Sequence, residues 1–163
     1  MDPFKDNERV SATVEKVEPR NKKPPGRSDV KSRKAVVVTL TIPMQGKLAS
    51  RIPKRFHEMV DAHTADGDVS EVKLVEEPSE KVISLFTAGD QRGKPIASAT
   101  GLANIKSIVH GDDGKNLRVV IECKYGEAIL LAFADRLKEE INISLDNAQV
   151  EMFPDPNPTP TQR

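Results

Sequence analysis

Eleven lysines and arginines fall between Arg20 and Arg55: Arg20, Lys22, Lys23, Arg27, Lys31, Arg33, Lys34, Lys47, Arg51, Lys54 and Arg55. Only Asp29 opposes them within that span. Cations at this density suit phosphodiester oxygens, because each neutralised phosphate releases condensed counterions. Lys47, Arg51, Lys54 and Arg55 surround the start of an expected helix, whose oriented N–H groups would add to the attraction. Pro24-Pro25-Gly26 would keep the preceding arm extended, as suits a loop lying along a groove. The plainer reading is a solvated loop balanced by the acidic stretch that follows. There Glu58, Asp61, Asp66, Asp68, Glu71, Glu76, Glu77 and Glu80 stand against Lys73 alone.

A second set of residues surrounds Val119 to Tyr125. Asp113 precedes Glu122 and Lys124, so two acids and a lysine stand on or just before one expected strand. Strand alternation explains the same residues, with Ile121, Cys123 and Tyr125 inward and Glu122 and Lys124 in solvent. His57 and His63 lie six apart on one expected helix, about 240° round its axis, so they make no metal pair. His110 belongs to a turn on this reading. Cys123 has no base beside it in the sequence and reads as a small buried residue. Gly89 to Lys94 lacks the spacing of a phosphate cradle. No cofactor or metal is expected.

The elements that must position these groups follow from apolar periodicity. Residues 1–9 read as a polar tail. Val10 to Val17 alternates like a half-buried strand, and residues 19–34, with no aliphatic side chain but Val30, read as an exposed, mobile basic loop. Ala35 to Ile42 is the clearest strand of the first half, stopped by Pro43. Ser50 is placed to cap a helix tolerating Pro53 in its first turn, with Ile52, Phe56, Met59 and Val60 on one face. After a turn at Asp66-Gly67-Asp68, Val69 to Val75 and Lys81 to Phe86 read as strands.

Residues 89–97 form a polar connector. Beyond it come a strand from Ser98 to Val109, a turn at residues 111–114, and a strand from Leu117 to Tyr125. A helix over 127–140 would carry Leu130, Phe133, Ala134, Leu137 and Ile141 on its buried face. Ile141 to Leu145 and Ala148 to Phe153 would close the fold as a hairpin. Residues 154–163, with Pro154, Pro156, Pro158 and Pro160, read as a disordered tail.

The expected fold is α+β: two strand-strand-helix-strand-strand units, residues 10–88 and 98–153, sharing one core. The repeat rests on element order and on Ser11-Ala12-Thr13 echoing Ser98-Ala99-Thr100, so an internal duplication and a chance α+β layout both fit. Another parsing takes the strands near 81, 98 and 117, the helix and the last two strands as the element order of an OB-fold barrel, with the first half an extension.

A chain of 163 residues with 37% hydrophobic and 31% charged residues suits one soluble core. A single cysteine permits no internal disulfide, and a reducing cytoplasmic setting is expected. The N-terminal residues have no apolar run, and nothing has the length of a membrane span. Aromatic content is 4%, with no Trp, which argues against rows of stacking rings.

Asp113, Glu122 and Lys124, with a helix after them, resemble the PD-(D/E)xK nuclease pattern. That resemblance implies Asp113 and Glu122 as metal ligands and Lys124 as the assisting lysine; no Pro precedes the acid. In layout the chain is also similar to small bacteriophage-encoded accessory proteins, on its late strand Arg118 to Tyr125, the helix after it and the Pro-rich end. That similarity implies a phage or mobile-element protein acting on DNA or host defence, in the host cytoplasm, and it transfers no site residue.

The residues point first to a non-catalytic binder of DNA or RNA backbones through the Arg20 to Arg55 segment. A protein-interaction or assembly module is the alternative. In that case the acidic hairpins near 71–80 and 139–151 would pair copies of the chain or dock on a partner. A Mg²⁺-dependent nuclease comes third.

Overall fold

A computed structural model describes residues 1–22, 33–64, 70–87, 93–111 and 114–148. Among these residues seven strands carry the apolar alternation: β1 (Arg9–Lys22), β2 (Arg33–Pro43), β3 (Ser70–Lys73), β4 (Ser79–Phe86), β5 (Ala97–Gly111), β6 (Gly114–Lys124) and β7 (Glu140–Asn147). The helices described are α1 (Gly46–Arg51), α2 (Lys54–Thr64) and α3 (Glu127–Ala134). Every strand pair is antiparallel. The order β5-β4-β7-β1-β2-β6 returns to β5 through a further β5–β6 ladder, so six strands close a barrel. The short β3 pairs with the late part of β5, from Ser107 to His110.

The side-chain period of two turns one apolar face of each stave into the closed barrel. Val36, Val38, Leu40 and Ile42 of β2 and Leu117, Val119, Ile121 and Cys123 of β6 are all buried in one core. Ala12 and Val14 of β1, Ile83 and Leu85 of β4, Ala103, Ile105 and Ile108 of β5 and Ile141, Ile143 and Leu145 of β7 complete the lining. At the mouth where β6 ends, α3 adds Ile129 and Phe133. At the opposite mouth, where β2 ends, α1 and α2 add Leu48, Ile52, Phe56 and Val60. Lys115 Nζ, 2.7 Å from Asp61, ties α2 to the start of β6.

Several expectations from sequence are corrected. The basic loop does not begin after Pro19. β1 continues to Lys22 and β2 starts at Arg33, with Pro19 opposite Val36, Arg20 opposite Ala35 and Lys22 opposite Arg33. Ladder pairing carries the ribbon past Ala35 to positions with no aliphatic residue, Asn21 opposite Lys34 and Lys22 opposite Arg33, and Pro19 is tolerated because β1 pairs on one side only there. Residues 23–32 lie outside the described part.

The helix expected from Ser50 is two helices. Pro53 lacks an N–H and disfavours helical backbone before it, so Ile52 is extended, α1 starts after Gln45, and α2 starts at Lys54. Met59, expected on the buried face, is exposed. α3 stops at Ala134 because the chain then turns back to β1, where Lys138 N–H donates to Val14 O at 2.6 Å and Val14 N–H to Glu139 O at 3.1 Å. Its buried residues are Ile129, Ala132 and Phe133, whereas Leu137 is exposed.

The N-terminal residues are packed rather than trailing. Phe4 is buried, Asp6 accepts from Asn147 N–H at 2.7 Å, and Asp146 accepts from Asn7 N–H at 2.7 Å. The first half is no extension of a smaller barrel, since β1 and β2 are barrel staves. His110 belongs to β5, opposite Lys115, and not to the turn. Residues 88–92 of the connector, the expected strand beyond Ala148 and the Pro-rich tail lie outside the described residues.

Candidate nucleic-acid interface

β2 separates the basic segment into two groups. Its eleven residues span about 35 Å, with Arg33 and Lys34 at one end and Lys47 beyond the other. The two groups therefore flank opposite mouths of the barrel and make no single patch.

At the α3 mouth the β1–β2 ribbon brings Arg20 and Lys34 together with residues far away in sequence. Arg20 Nε and Nη2 lie 3.0 and 2.7 Å from Glu18 Oε2, and Lys16 Nζ lies 2.6 Å from Glu18 Oε1. Hydrogen bonds from Lys16 and then Arg20 hold the Glu18 carboxyl below its ordinary range. Both cations remain more than half exposed. Lys34 Nζ stands over the Tyr125 ring, 5.4 Å from its centroid, within cation–π range.

Tyr125 occupies the junction between β6 and α3. Lys124 is held by its ladder position opposite Ala35, and Gly126 O accepts the first helical hydrogen bond of α3, from Leu130 N–H at 3.0 Å. Tyr125, between these fixed points, is 38% exposed. It borders two hollows. One, of about 290 Å³, is lined by Pro19, Arg20, Lys34, Tyr125 and Leu130; the other, of about 220 Å³, includes Thr100, Lys124, Ala128 and Ile129. Arg20 also borders a groove of about 320 Å³ on the outer sheet face, with Lys16, Lys106, Glu18, Glu122 and Asn104. Lys22 and Arg33 hold the next paired positions of the ribbon. Lys23, Arg27 and Lys31 lie outside the described residues.

The other four candidates sit at the far mouth. Arg51 reaches Glu8 Oε1 and Oε2 at 2.5 and 2.8 Å and donates to Pro3 O at 3.2 Å, so it pins the N-terminal segment. The Arg51 hydrogen bond lowers the Glu8 pKa, and Glu8 raises that of Arg51. Lys54 is 3.7 Å from Glu58, and the Arg55 guanidinium is 4.8 Å from the Phe56 ring centroid. Lys47 is exposed beside a separate hollow that also holds Glu8 and Glu140.

The nuclease-like residues do not assemble among the described residues. Asp113 lies outside them; Gly114, its neighbour, starts β6 eight residues before Glu122, about 26 Å along the strand. No group of three His, Cys, Asp or Glu able to hold a metal occurs among the described residues. Burial, with Glu122 beside it, pushes the Cys123 thiol up to about 12, so it is no nucleophile at neutral pH. His57 Nε2 pairs with Ala49 O at 3.0 Å. In the first acidic hairpin Glu71 is engaged by Arg118 at 3.1 Å. No described helix is long and apolar enough to cross a membrane.

Alternation from sequence turned Tyr125 inward, but β6 ends at Lys124, and past the last ladder pair the alternation no longer applies. Gly126 and the helix behind it were the signal that could have shown this. Lys16 and Lys106 were missed because the barrel, and not the sequence, brings β1 and β5 to one groove. No family model matches this chain, and no curated protein or solved structure matches it either.

Proposed function

We propose that this protein binds nucleic acid without catalysing a reaction, gripping phosphates with the β1–β2 ribbon at the α3 mouth. One observation carries the reading: Arg20, Lys34 and Lys124 converge around an exposed tyrosine at the base of a ribbon whose next paired positions are Lys22 and Arg33. Cations on such an arm position the backbone without reading bases. Arg51, Lys54 and Arg55 drop out of the interface because α1 and α2 place them at the opposite mouth, away from the ribbon and Tyr125.

The test is fluorescence anisotropy with labelled DNA and RNA at two salt concentrations. A variant carrying Ser at Arg20, Lys22, Arg33 and Lys34 should lose most of the affinity, and one carrying Ser at Lys54 and Arg55 should keep it. Equal loss in both variants, or no binding at low salt, would sink the reading.

We also infer that the barrel is an internal duplication of a shorter unit than sequence suggests, strand-strand-helix-strand, with β3 an addition to the first copy. The pairing pattern supports this. Exchanging β1 with β5, β2 with β6 and β4 with β7 turns Ala12 opposite Ile141 into Ala103 opposite Ser79. The pairs Leu40–Val119 and Ile83–Leu145 map onto themselves. Register shifts follow Val14 in β1 and Ile105 in β5, at matching places. Two tandem copies of residues 97–148 should then fold cooperatively; a chain without a thermal transition would reject the duplication.

A further inference from the structure

Resting on the nucleic-acid reading above, we propose that Tyr125 is a stacking platform for one unpaired base, so that the interface takes single-stranded nucleic acid in preference to duplex. Phosphate gripping alone asks only for cations, and an exposed aromatic ring among them adds a different chemistry. Every base has a π-face, so a single ring gives affinity without sequence preference. A base inside a duplex cannot present that face.

Three features suit Tyr125 to this role. Its backbone is fixed from both sides, by the β6 ladder at Lys124 and by the first turn of α3, so little order is lost on binding. A tyrosine side chain has only two χ angles to immobilise. Its ring borders two hollows at once, one carrying Arg20 and Lys34 and the other Lys124, which gives a stacked base a cation for the phosphates on either side. Lys34 already stands over the ring, so a base arriving on that face exchanges with a side chain that is free to follow the phosphate. One ring is enough for one base, and the low aromatic content of the chain does not oppose that.

Tyr125 is the only tyrosine and the chain has no Trp, so intrinsic emission reports on this ring alone. Unlabelled oligo(dT), oligo(rU) and a blunt duplex of equal length are titrated into the full chain, following tyrosine emission, with anisotropy of labelled strands in parallel. The expected result is strong quenching and tighter binding for the single strands. Their relative affinity tells DNA from RNA. Tyr125→Leu should weaken single-strand binding roughly tenfold and leave duplex binding almost unchanged. Tyr125→Phe should restore the single-strand affinity, and unchanged melting of both variants excludes a folding defect. Binding without quenching, with equal affinity for strand and duplex, overturns the stacking role while the ribbon reading stands. No binding of any polymer at low salt overturns both.

Discussion

Lys81 is 1% exposed, and its ammonium reaches Asp2 Oδ2 at 2.5 Å and Asn147 Oδ1 at 2.7 Å. Removing the acid strands a buried charge, whereas replacing the lysine by an apolar chain of like volume removes the charge altogether. Asp2→Ala should therefore lower unfolding free energy by about 3 kcal/mol in a urea titration, and Lys81→Met should be near neutral. A larger loss in Lys81→Met would show that the ion pair itself stabilises the barrel. Gly101 is a second residue of this kind. A Cβ there would run into the carbonyl oxygen of Glu122 and the Cα of Cys123 across the β5–β6 ladder. Gly101→Ala should cost about 2 kcal/mol, read from the same titration. Neither residue is legible in the sequence. A lysine opening a strand reads as solvated, and its partner lies 79 residues away. Cys123 is the opposite case, since its place on an alternating strand suffices to bury it.

Each helix is defined by what its apolar side chains meet. In α3, Phe133 is fully buried while Leu137, in the turn that follows, is exposed. Phe133→Ala should cost about 3–5 kcal/mol and Leu137→Ala stay within about 0.5 kcal/mol, by thermal or urea unfolding. Periodicity read from sequence grouped the two residues, because nothing local signals that the chain turns back to pair with Val14. The strand at Ala35 to Ile42 was legible because its buried residues are aliphatic; the ribbon ends were not, because ladder pairing needs no apolar side chain. The N-terminal segment is held to α1 by the partly exposed Glu8–Arg51 pair. Because the folded Glu8 pKa is depressed, its contribution is fully present above the unfolded value near 4.5 and is lost as pH falls through the lower folded value. Glu8→Gln should therefore show a smaller loss of stability than the wild type between neutral pH and pH values below 4.5, with unfolding midpoints as the readout. An unchanged acid limb would mean the pair contributes nothing.

The whole chain carries 25 basic and 25 acidic residues. With no net charge to steer encounter, the proposed binding to a polyanion rests on the ribbon mouth alone, acting within a Debye length. Replacing Arg20 and Lys34 by Ser should reduce the log–log salt slope of binding by about 2, one unit for each lost phosphate contact. A slope that does not change would place the phosphate contacts elsewhere. Charge clustering was readable from sequence, but its division between two mouths was not, since it depends on β2 being a full barrel stave. Closure itself was also hidden, because the seam joins β1 to β7, with Ala12 opposite Ile141. That seam has a mechanical consequence. The N-terminal end of β1 and the C-terminal end of β7 emerge side by side at one mouth, with Arg9 opposite Ser144. Tension applied between Arg9 and Asn147 would load the ladder one hydrogen bond at a time, peeling it like a zipper instead of shearing all its bonds together.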